Sequence, residues 1–304
     1  MQLVRQNENK HGNWGRMVLA VLMVAAIGSG CASESSDDPG GSPAAPGRQA
    51  GPAGALSAYV EKVKRAQAVR AVAAKKWGLA KTPLAAPRPP AVKPKIATRK
   101  GFEVDGGESS PPVFTTVPVK EKIVFLTIDD GAEKDPALLR MMSDLQIPYS
   151  AFLTDYLISS NYGYFKQMQD RGVSLHNHTL NHRYLRGLSY AQQKHEICDQ
   201  QTKLEKRYGK RPPLFRPPYG SYNEDTLRIA RSCGIKAIPL WAAEAFPDRM
   251  EWRERDRDLH PGDIILTHFR GHKDWKGSMP DMIRRVMKTV TDKGYAVAKL
   301  EDYV

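Results

Sequence analysis

The chain has 304 residues, of which 41% are hydrophobic and 3 are Cys. This composition excludes a wholly disordered chain, a small disulfide scaffold and a multi-span membrane protein, and it leaves room for one large domain with extensions. The net charge is +13, and nearly all of this excess lies in residues 57–100, whereas the residues that follow are close to neutral. A basic stretch beside a nearly neutral domain is typical of an electrostatic tether.

Residues 1–31 predict an export signal. Basic residues precede an apolar run at 17–27, which has about half of the roughly 20 residues needed to span a bilayer. Small residues then lead into Cys31, and this pattern resembles a bacterial lipoprotein lipobox, in which the cysteine carries lipid. Gly28 stands where such boxes usually have an aliphatic residue, so simple cleavage stays open. Both readings predict export, either as a membrane-anchored lipoprotein at the cell surface or as a secreted protein.

Two connecting segments follow the signal. Residues 32–56 are rich in Ser, Pro, Gly and Ala and predict a flexible low-complexity linker. Within 57–100, apolar residues recur at three-to-four spacing up to residue 81 among many Lys and Arg, which predicts a basic amphipathic helix, and 82–100 predict a Pro-rich extended linker. The helix would contact anionic wall polymer or a membrane surface, or would only space the domain from its anchor.

Residues 101–304 alternate between strand and helix patterns. The predicted strands are 122–128, 149–154, 173–177, 214–216, 236–241, 263–268 and 296–300. The predicted helices are 135–145, 162–171, 189–208, 223–234 and 280–293. Strands separated by helices predict an α/β fold with a parallel sheet, open or closed as a barrel. In such folds functional residues lie at the carboxyl ends of the strands.

Two of these strand ends carry candidate metal ligands. Asp129 and Asp130 end the first strand, and His178 and His182 follow the third. Adjacent carboxylates in a dry site repel each other unless a cation lies between them. Histidines four residues apart can face the same way on a helical turn and bind one metal together with a carboxylate. Alone, each motif is usually a turn or a helix surface; together they predict a catalytic metal site with open coordination positions.

Two further strand ends complete the pattern. Strand four ends in the sequence from Arg216 to Gly220, RPPYG, and strand six ends in Leu266-Thr267-His268. These four segments, in this order, resemble the signature of polysaccharide deacetylases of the NodB-homology type, carbohydrate esterase family 4, over about residues 120–304. The resemblance implies a distorted (β/α)7 barrel and metal-dependent removal of acetyl groups from carbohydrates.

The resemblance also implies the metal ligands, and the chemistry of these ligands favours certain metals. It assigns Asp130, His178 and His182 as the three ligands. Zn²⁺ suits two imidazoles and one carboxylate best, and Co²⁺, Ni²⁺ and Mn²⁺ are the alternatives.

The remaining roles are likewise carried over motif by motif. Asp129 is the implied general base, Arg216 orients it, and His268 is the implied general acid. Tyr219 is the residue whose backbone N–H faces the developing oxyanion. Leu266 is the implied wall of the acetyl pocket, and Pro217 of the strand-four motif is a further candidate for substrate contact.

The family's Asp-x-x-Asp-Trp motif is altered in this chain. Glu244 could replace the first acid, whereas Pro247 and Asp248 stand where the second Asp and the Trp are expected. The carboxylate that tunes His268 and the aromatic pocket wall therefore stay open, with Asp248 as one candidate acid. Trp241 and Trp275 are the candidate walls. We expect altered substrate preference more than lost activity.

The predicted activity is hydrolytic removal of acetyl groups from an N-acetylated cell-wall or related polysaccharide, such as peptidoglycan or a chitin-like polymer. The alternatives are an O-acetyl glycan esterase, a catalytically weak or silent carbohydrate-binding module, and a wall-binding protein that acts through residues 57–100. We expect a monomer. We also expect no nucleic-acid partner, because no base-reading motif accompanies the basic tail. Cys198 and Cys233 could form a disulfide or stay free thiols, and His176 is expected to be structural.

Overall fold

The computed structural model of the chain describes residues 52–107 and 109–304, with side chains from Ser57 onward except that of Glu108. The predicted export signal, Cys31 and most of the predicted flexible linker lie outside these residues. Within the described part of the chain, no helix combines the length and the apolar character needed to cross a bilayer.

The strands are β1 (Val113–Phe114), β2 (Ile123–Asp130), β3 (Ser150–Leu153), β4 (Ser174–Asn177), β5 (Ile238–Pro239), β6 (Ala243–Ala245), β7 (Met250–Trp252), β8 (Ile264–His268) and β9 (Ala296–Ala298). The helices are α1 (Pro52–Lys76), α2 (Pro136–Leu145), α3 (Asp155–Ile158), α4 (Tyr162–Asp170), α5 (Tyr190–Lys194), α6 (Gln200–Tyr208), α7 (Glu224–Ser232) and α8 (Met279–Asp292). A single wider turn, His195–Asp199, joins α5 to α6.

The helix starts follow from their capping residues. Asp135 caps α2 by accepting a hydrogen bond from the Ala137 N–H, and Pro136 occupies the first turn, where a missing N–H costs nothing. Ser189 and Gln192 form the predicted capping box of α5. The longer elements are therefore where the sequence placed them. The short β1 and the β6–β7 hairpin were missed, since strands of two or three residues show no measurable periodicity.

The sheet is centred on β2, which pairs in parallel with β3, β8 and β9. The main strand order is β4-β3-β2-β8-β6-β7, and β7 runs antiparallel at the edge. Beyond β4, isolated bridges at Asn177–Phe215 and Leu214–Ala237 lead to β5, which is parallel to β1. The bridge Thr116–Asp263 then returns to the start of β8. The strands therefore close into a distorted barrel, which confirms the predicted fold class.

The core has an inner and an outer part. Ile123 and Phe125 of β2 belong to an interior cluster with Phe152 and Ile264. The alternate residues of β2, among them Leu126, belong to the cluster formed with α2, α4 and α8. All eight residues of β2 are buried, as expected for a parallel strand covered on both faces.

The last turns of α1 pack on the barrel domain. Ala73 and Ala74 are buried, and the Trp77 indole N–H donates to Asp144 Oδ2 at 2.8 Å. Arg284 Nε of α8 donates to the Trp77 carbonyl at 2.7 Å. The predicted basic helix is therefore present, and its carboxyl end is attached to the domain. The predicted amphipathic pattern is wrong, because exposed apolar residues such as Val63 and Val72 lie on different faces of the helix.

Residues 82–100 are extended, as predicted, but they lie against the barrel and do not bridge a gap. Leu84 pairs with Ala296 of β9, and Lys93 Nζ donates to the carbonyls of Glu301 and Val304, both at 2.7 Å. Arg99 N–H donates to the Val113 carbonyl at 2.8 Å. The prolines hold this segment extended, and its side chains and backbone contact the domain. The chain from α1 onward is therefore one compact unit.

Two expectations outside the site are also settled. Cys198 and Cys233 form a disulfide with a Cα–Cα distance of 5.2 Å, which joins the wide turn after α5 to the end of α7. His176 is buried, and its Nε2 lies 2.6 Å from Glu301 Oε1, which also accepts from Ser150 Oγ at 2.6 Å. His176 is therefore a structural residue inside the barrel, as expected.

Candidate active site

The strand β2 brings two carboxylates to the carboxyl end of the barrel. Asp129 is 2% exposed and is the register partner of His268 in β8, so the two side chains lie on the same face of the sheet. Asp130 has a φ of 79°, in the left-handed region that side chains other than glycine rarely adopt. Thr179 and His182 share this conformation, with φ values of 70° and 54°. Such strained positions concentrate at functional sites.

The three predicted metal ligands converge. Asp130 Oδ1 lies 3.2 Å from His182 Nε2 and 3.6 Å from His178 Nε2, and one ligand atom from each residue lies within 4.8 Å of the others. Asp130 Oδ1 is buried and accepts no hydrogen bond within the described residues. A buried carboxylate oxygen without a donor, facing two imidazole nitrogens, is the arrangement that a divalent cation satisfies. The residues therefore fit a metal site.

His178 is in the state that metal binding needs. Its Nδ1 lies 2.6 Å from the Arg216 carbonyl, so Nδ1–H donates to this oxygen and the Nε2 lone pair points toward Asp130. Burial lowers the pKa of His178 to about 4. The imidazole is therefore neutral at physiological pH, as a ligand must be.

The loop that carries the two histidines is held by buried polar side chains. Asn177 Oδ1 accepts from the Thr179 N–H at 2.8 Å, and Glu196 accepts from the Asn181 N–H at 2.8 Å and from its side-chain amide at 2.9 Å. The predicted helical turn is wrong, because the left-handed Thr179 breaks any helix here. The histidines converge through this loop. Sequence reasoning missed Asn177 and Glu196. The only feature that could have marked them is that each is a polar residue within an otherwise buried element.

Arg216 holds Asp129 in the barrel interior. Arg216 Nη1 donates to Asp129 Oδ1 at 2.7 Å and to Thr127 Oγ1 at 2.9 Å, and Nε donates to the Pro239 carbonyl at 2.7 Å. The guanidinium is completely buried and lies over the Phe152 ring. Burial raises the pKa of Asp129 to about 6 even though Arg216 opposes the shift. Asp129 is thus a stronger base than an exposed aspartate and has a fixed orientation.

The structure brings Glu244 to His268. His268 Nδ1 lies 3.5 Å from Glu244 Oε1, and burial raises the pKa of Glu244 to about 7. Burial also lowers the pKa of His268. Asp248, the other candidate acid, is half-exposed and pairs with Arg249 at 3.2 Å. Of the two candidates, Glu244 is therefore the carboxylate beside the imidazole.

The aromatic candidates divide between two places. The Trp275 ring lies edge-on to the His268 ring, with centroids 6.2 Å apart. Trp241 is half-buried behind Arg216, with 5.8 Å between its ring centroid and the guanidinium carbon. It also fits against Gly220, where an added Cβ would lie 3.0 Å from the indole. Trp275 is therefore the tryptophan beside the candidate acid, and Trp241 supports the residues beneath.

The strand-four motif forms a tight turn at the rim. Tyr219 has a φ of 62°, is 56% exposed, and its ring centroid lies 4.9 Å from that of His182. Pro217 is buried, and its carbonyl accepts from the Gly220 N–H at 2.9 Å. Leu266 is buried in β8, in register with Thr127 and on the same face as His268. Tyr219 therefore contacts one predicted metal ligand, His182, whereas Pro217 and Leu266 lie below the surface.

Arg270 is a site residue that the sequence did not reveal. Its Nη2 donates to Asp130 Oδ2 at 2.7 Å, and its Nη1 lies 3.6 Å from Asp274 Oδ2. Because Oδ2 is occupied in this way, Asp130 offers Oδ1 to the two histidines. A lone arginine two residues after His268 has no pattern that would have marked it.

The chain is similar to known polysaccharide deacetylases. Residues 116–238 match the family model for polysaccharide deacetylases. The chain is 41% identical over 203 residues to the uncharacterized protein SCO4760 of Streptomyces coelicolor. The aligned region covers 66% of this chain and 81% of that protein. It is 28% identical over 192 residues to a peptidoglycan-N-acetylglucosamine deacetylase of Bacillus cereus, covering 59% of this chain and 86% of that protein.

The fold is shared with solved structures. A family 4 carbohydrate esterase from Bacillus anthracis superposes with a TM-score of 0.54 at 23% identity, covering 72% of this chain and 98% of the other. The family match and these relatives define the class of the protein as a carbohydrate deacetylase. The chain belongs to the polysaccharide deacetylase family and is a hydrolase.

Proposed function

We propose that this protein removes acetyl groups from the N-acetylated sugars of peptidoglycan, with a divalent cation bound by Asp130, His178 and His182. The observation that carries the proposal is the convergence of these three residues beside Asp129, which Arg216 holds at 2.7 Å. The resemblance to a peptidoglycan-N-acetylglucosamine deacetylase supports the substrate class.

The donor set favours Zn²⁺, with Co²⁺, Ni²⁺ or Mn²⁺ as substitutes, because two imidazoles and one carboxylate suit these ions. Three protein ligands leave positions for water and substrate. A bound cation would lower the pKa of water and polarise the acetyl carbonyl.

Asp129 and His268 supply the two proton transfers. Asp129 accepts the proton of the attacking water, and the bond to Arg216 keeps its carboxylate oriented for this step. The water oxygen attacks the acetyl carbon, and the Tyr219 backbone N–H is proposed to donate to the oxyanion that develops. His268 then donates a proton to the leaving amine, so that acetate and a free amino sugar are released.

Glu244, when ionised, is expected to raise the pKa of His268 against the effect of burial. Glu244→Gln removes a carboxylate 3.5 Å from His268 Nδ1, so the pKa of His268 falls and the basic limb of the kcat–pH profile shifts to lower pH by about one unit. A kcat–pH profile measures the shift.

Asp248→Asn is the matched control, since Asp248 is the acid that the structure leaves at the surface. Its profile should match that of the wild type. A shift in Asp248→Asn with none in Glu244→Gln would show that Asp248 tunes the imidazole.

A panel of acetylated glycans tests the substrate. Peptidoglycan glycan strands should release acetate fastest, N-acetylated chitin oligomers more slowly, and O-acetylated xylan least. Acetate from the O-acetylated glycan alone would favour an esterase. Glycan binding without any acetate release would favour a silent binding module.

We propose that the protein is exported and works at the cell surface. The proposal rests on the sequence of residues 1–31 and on the basic charge of residues 57–100. A lipid on Cys31 would hold the barrel near the membrane and within reach of the wall.

A further inference from the structure

A cavity lies at the opposite end of the barrel from the candidate active site. Its volume is about 600 Å³, within the range of small-molecule sites. It is bounded by α1, by residues 83–86 and by the residues just before β3 and β4, which are the amino-terminal approaches to these strands. Because the strands are parallel, these approaches lie at the end of the barrel away from Asp129 and Asp130.

The wall of this cleft is largely apolar. Its apolar lining includes Leu84, Met142, Ile147, Val173, Met287 and Val297. A small hydrophilic anion would leave this apolar surface exposed to water, whereas a hydrocarbon chain would cover it.

Three cations line the same cleft, and no carboxylate does among the described residues. Arg70, Arg171 and Lys299 are these cations. Arg171 Nη1 donates to the Gln167 carbonyl at 2.8 Å, and Lys299 Nζ donates to the Gly172 carbonyl at 3.1 Å. Burial lowers the pKa of Arg70. Arg70 and Lys299 are partly buried, whereas Arg171 is exposed. Cations that line a cleft without carboxylates attract a compact anion.

The helix α1 extends the apolar surface beyond the cleft. Tyr59 and Val63 are four residues apart, and Arg70 follows two turns later, so the three lie on one face of the helix. Tyr59 is 40% exposed and Val63 41% exposed. The face that contributes Arg70 to the cleft therefore also carries exposed apolar side chains, although the Arg88 guanidinium lies over the Tyr59 ring at 4.1 Å.

We propose that this cleft binds an anionic phospholipid. The phosphate contacts Arg70, Arg171 and Lys299, and the acyl chains cover the apolar wall and the strip formed by Tyr59 and Val63. A polyanionic wall polymer would not use the apolar wall, and a neutral lipid would not use the cations. This proposal is independent of the hydrolytic activity. It orients the active site away from the membrane.

Titration calorimetry on the full-length protein tests the proposal, with three probes kept below their critical micelle concentrations. Dihexanoyl phosphatidylglycerol carries both the anion and the chains, dihexanoyl phosphatidylcholine carries the chains without net charge, and inorganic phosphate carries the anion alone. We expect phosphatidylglycerol to bind at least about tenfold more tightly than either of the others, because only this lipid engages both kinds of lining.

Arg171→Gln with Lys299→Gln should reduce phosphatidylglycerol affinity to the phosphatidylcholine level. Lys120→Gln with Lys236→Gln removes the same charge from exposed positions that do not line the cleft and should leave the affinity unchanged. Equal losses in both double variants would overturn the proposal in favour of general charge attraction. Phosphate binding as tightly as phosphatidylglycerol, or phosphatidylcholine doing so, would also overturn it. Acetate release from soluble glycan should be the same in all these variants.

Discussion

Asp129→Asn is expected to lower kcat/KM for acetate release by about 10³-fold, within the range that a general base contributes. The amide keeps the size of the carboxylate and can still accept a hydrogen bond from Arg216 Nη1, now at 2.7 Å. It cannot take a proton from water at neutral pH. Acetate release from glycan oligomers under subsaturating substrate measures the loss.

The metal content separates this effect from damage to the site. Because Asp130, His178 and His182 are intact in Asp129→Asn, the variant should bind one divalent ion per chain as the wild type does. Asp263→Asn is the control for replacing a buried aspartate, since Asp263 is equally buried but lies at the start of β8, away from the site. Wild-type activity in Asp129→Asn would show that another group is the base.

His178→Ala is expected to remove the bound divalent ion and to lower activity at least about 10³-fold, because a cation at such a site contributes several kcal/mol to the transition state. The substitution deletes Nε2, which lies 3.6 Å from Asp130 Oδ1, and leaves two ligands. Metal analysis of the purified protein gives the stoichiometry.

Chelation and add-back give a second measurement. Wild-type protein stripped by a chelator should lose activity and regain it with Zn²⁺, whereas His178→Ala should stay inactive. His195→Ala is the control, since His195 is exposed and bonded to Asp199, and it should keep both metal and activity. Full activity in chelated wild type would contradict the metal-dependent mechanism.

The site depends on different surroundings for its two neighbouring aspartates. Asp129 is paired with a completely buried arginine inside the barrel, whereas Asp130 leaves the strand with a left-handed backbone and turns toward the histidine loop. One change of backbone conformation therefore separates the proposed proton acceptor from the proposed metal ligand. Strand alternation by itself would have pointed these two side chains to opposite faces.

The comparison of Glu244 and Asp248 shows a limit of sequence reasoning. Both acids follow the fifth predicted strand within a few residues, and the sequence offered Asp248 as the candidate that tunes His268 and Glu244 only as a replacement for the first acid of the motif. In the structure β6 pairs with β8 and places Glu244 in register with Leu266, two residues before His268, while Asp248 lies in the exposed turn of the β6–β7 hairpin. Pairing between strands distant in sequence decided which acid reaches the imidazole.

The sequence alone determined the alternation of strands and helices, the positions of the proposed metal ligands and the placement of Asp129, Arg216 and His268 at strand ends. These features could be predicted because polar residues that end apolar runs stand out locally. Tertiary structure alone decided the disulfide, the attachment of residues 82–100, the role of Arg270 beside Asp130 and the cationic cleft. Each of these depends on residues far apart in the chain, and the free energy that selects such contacts comes from burial and charge pairing that exist only after the barrel has closed.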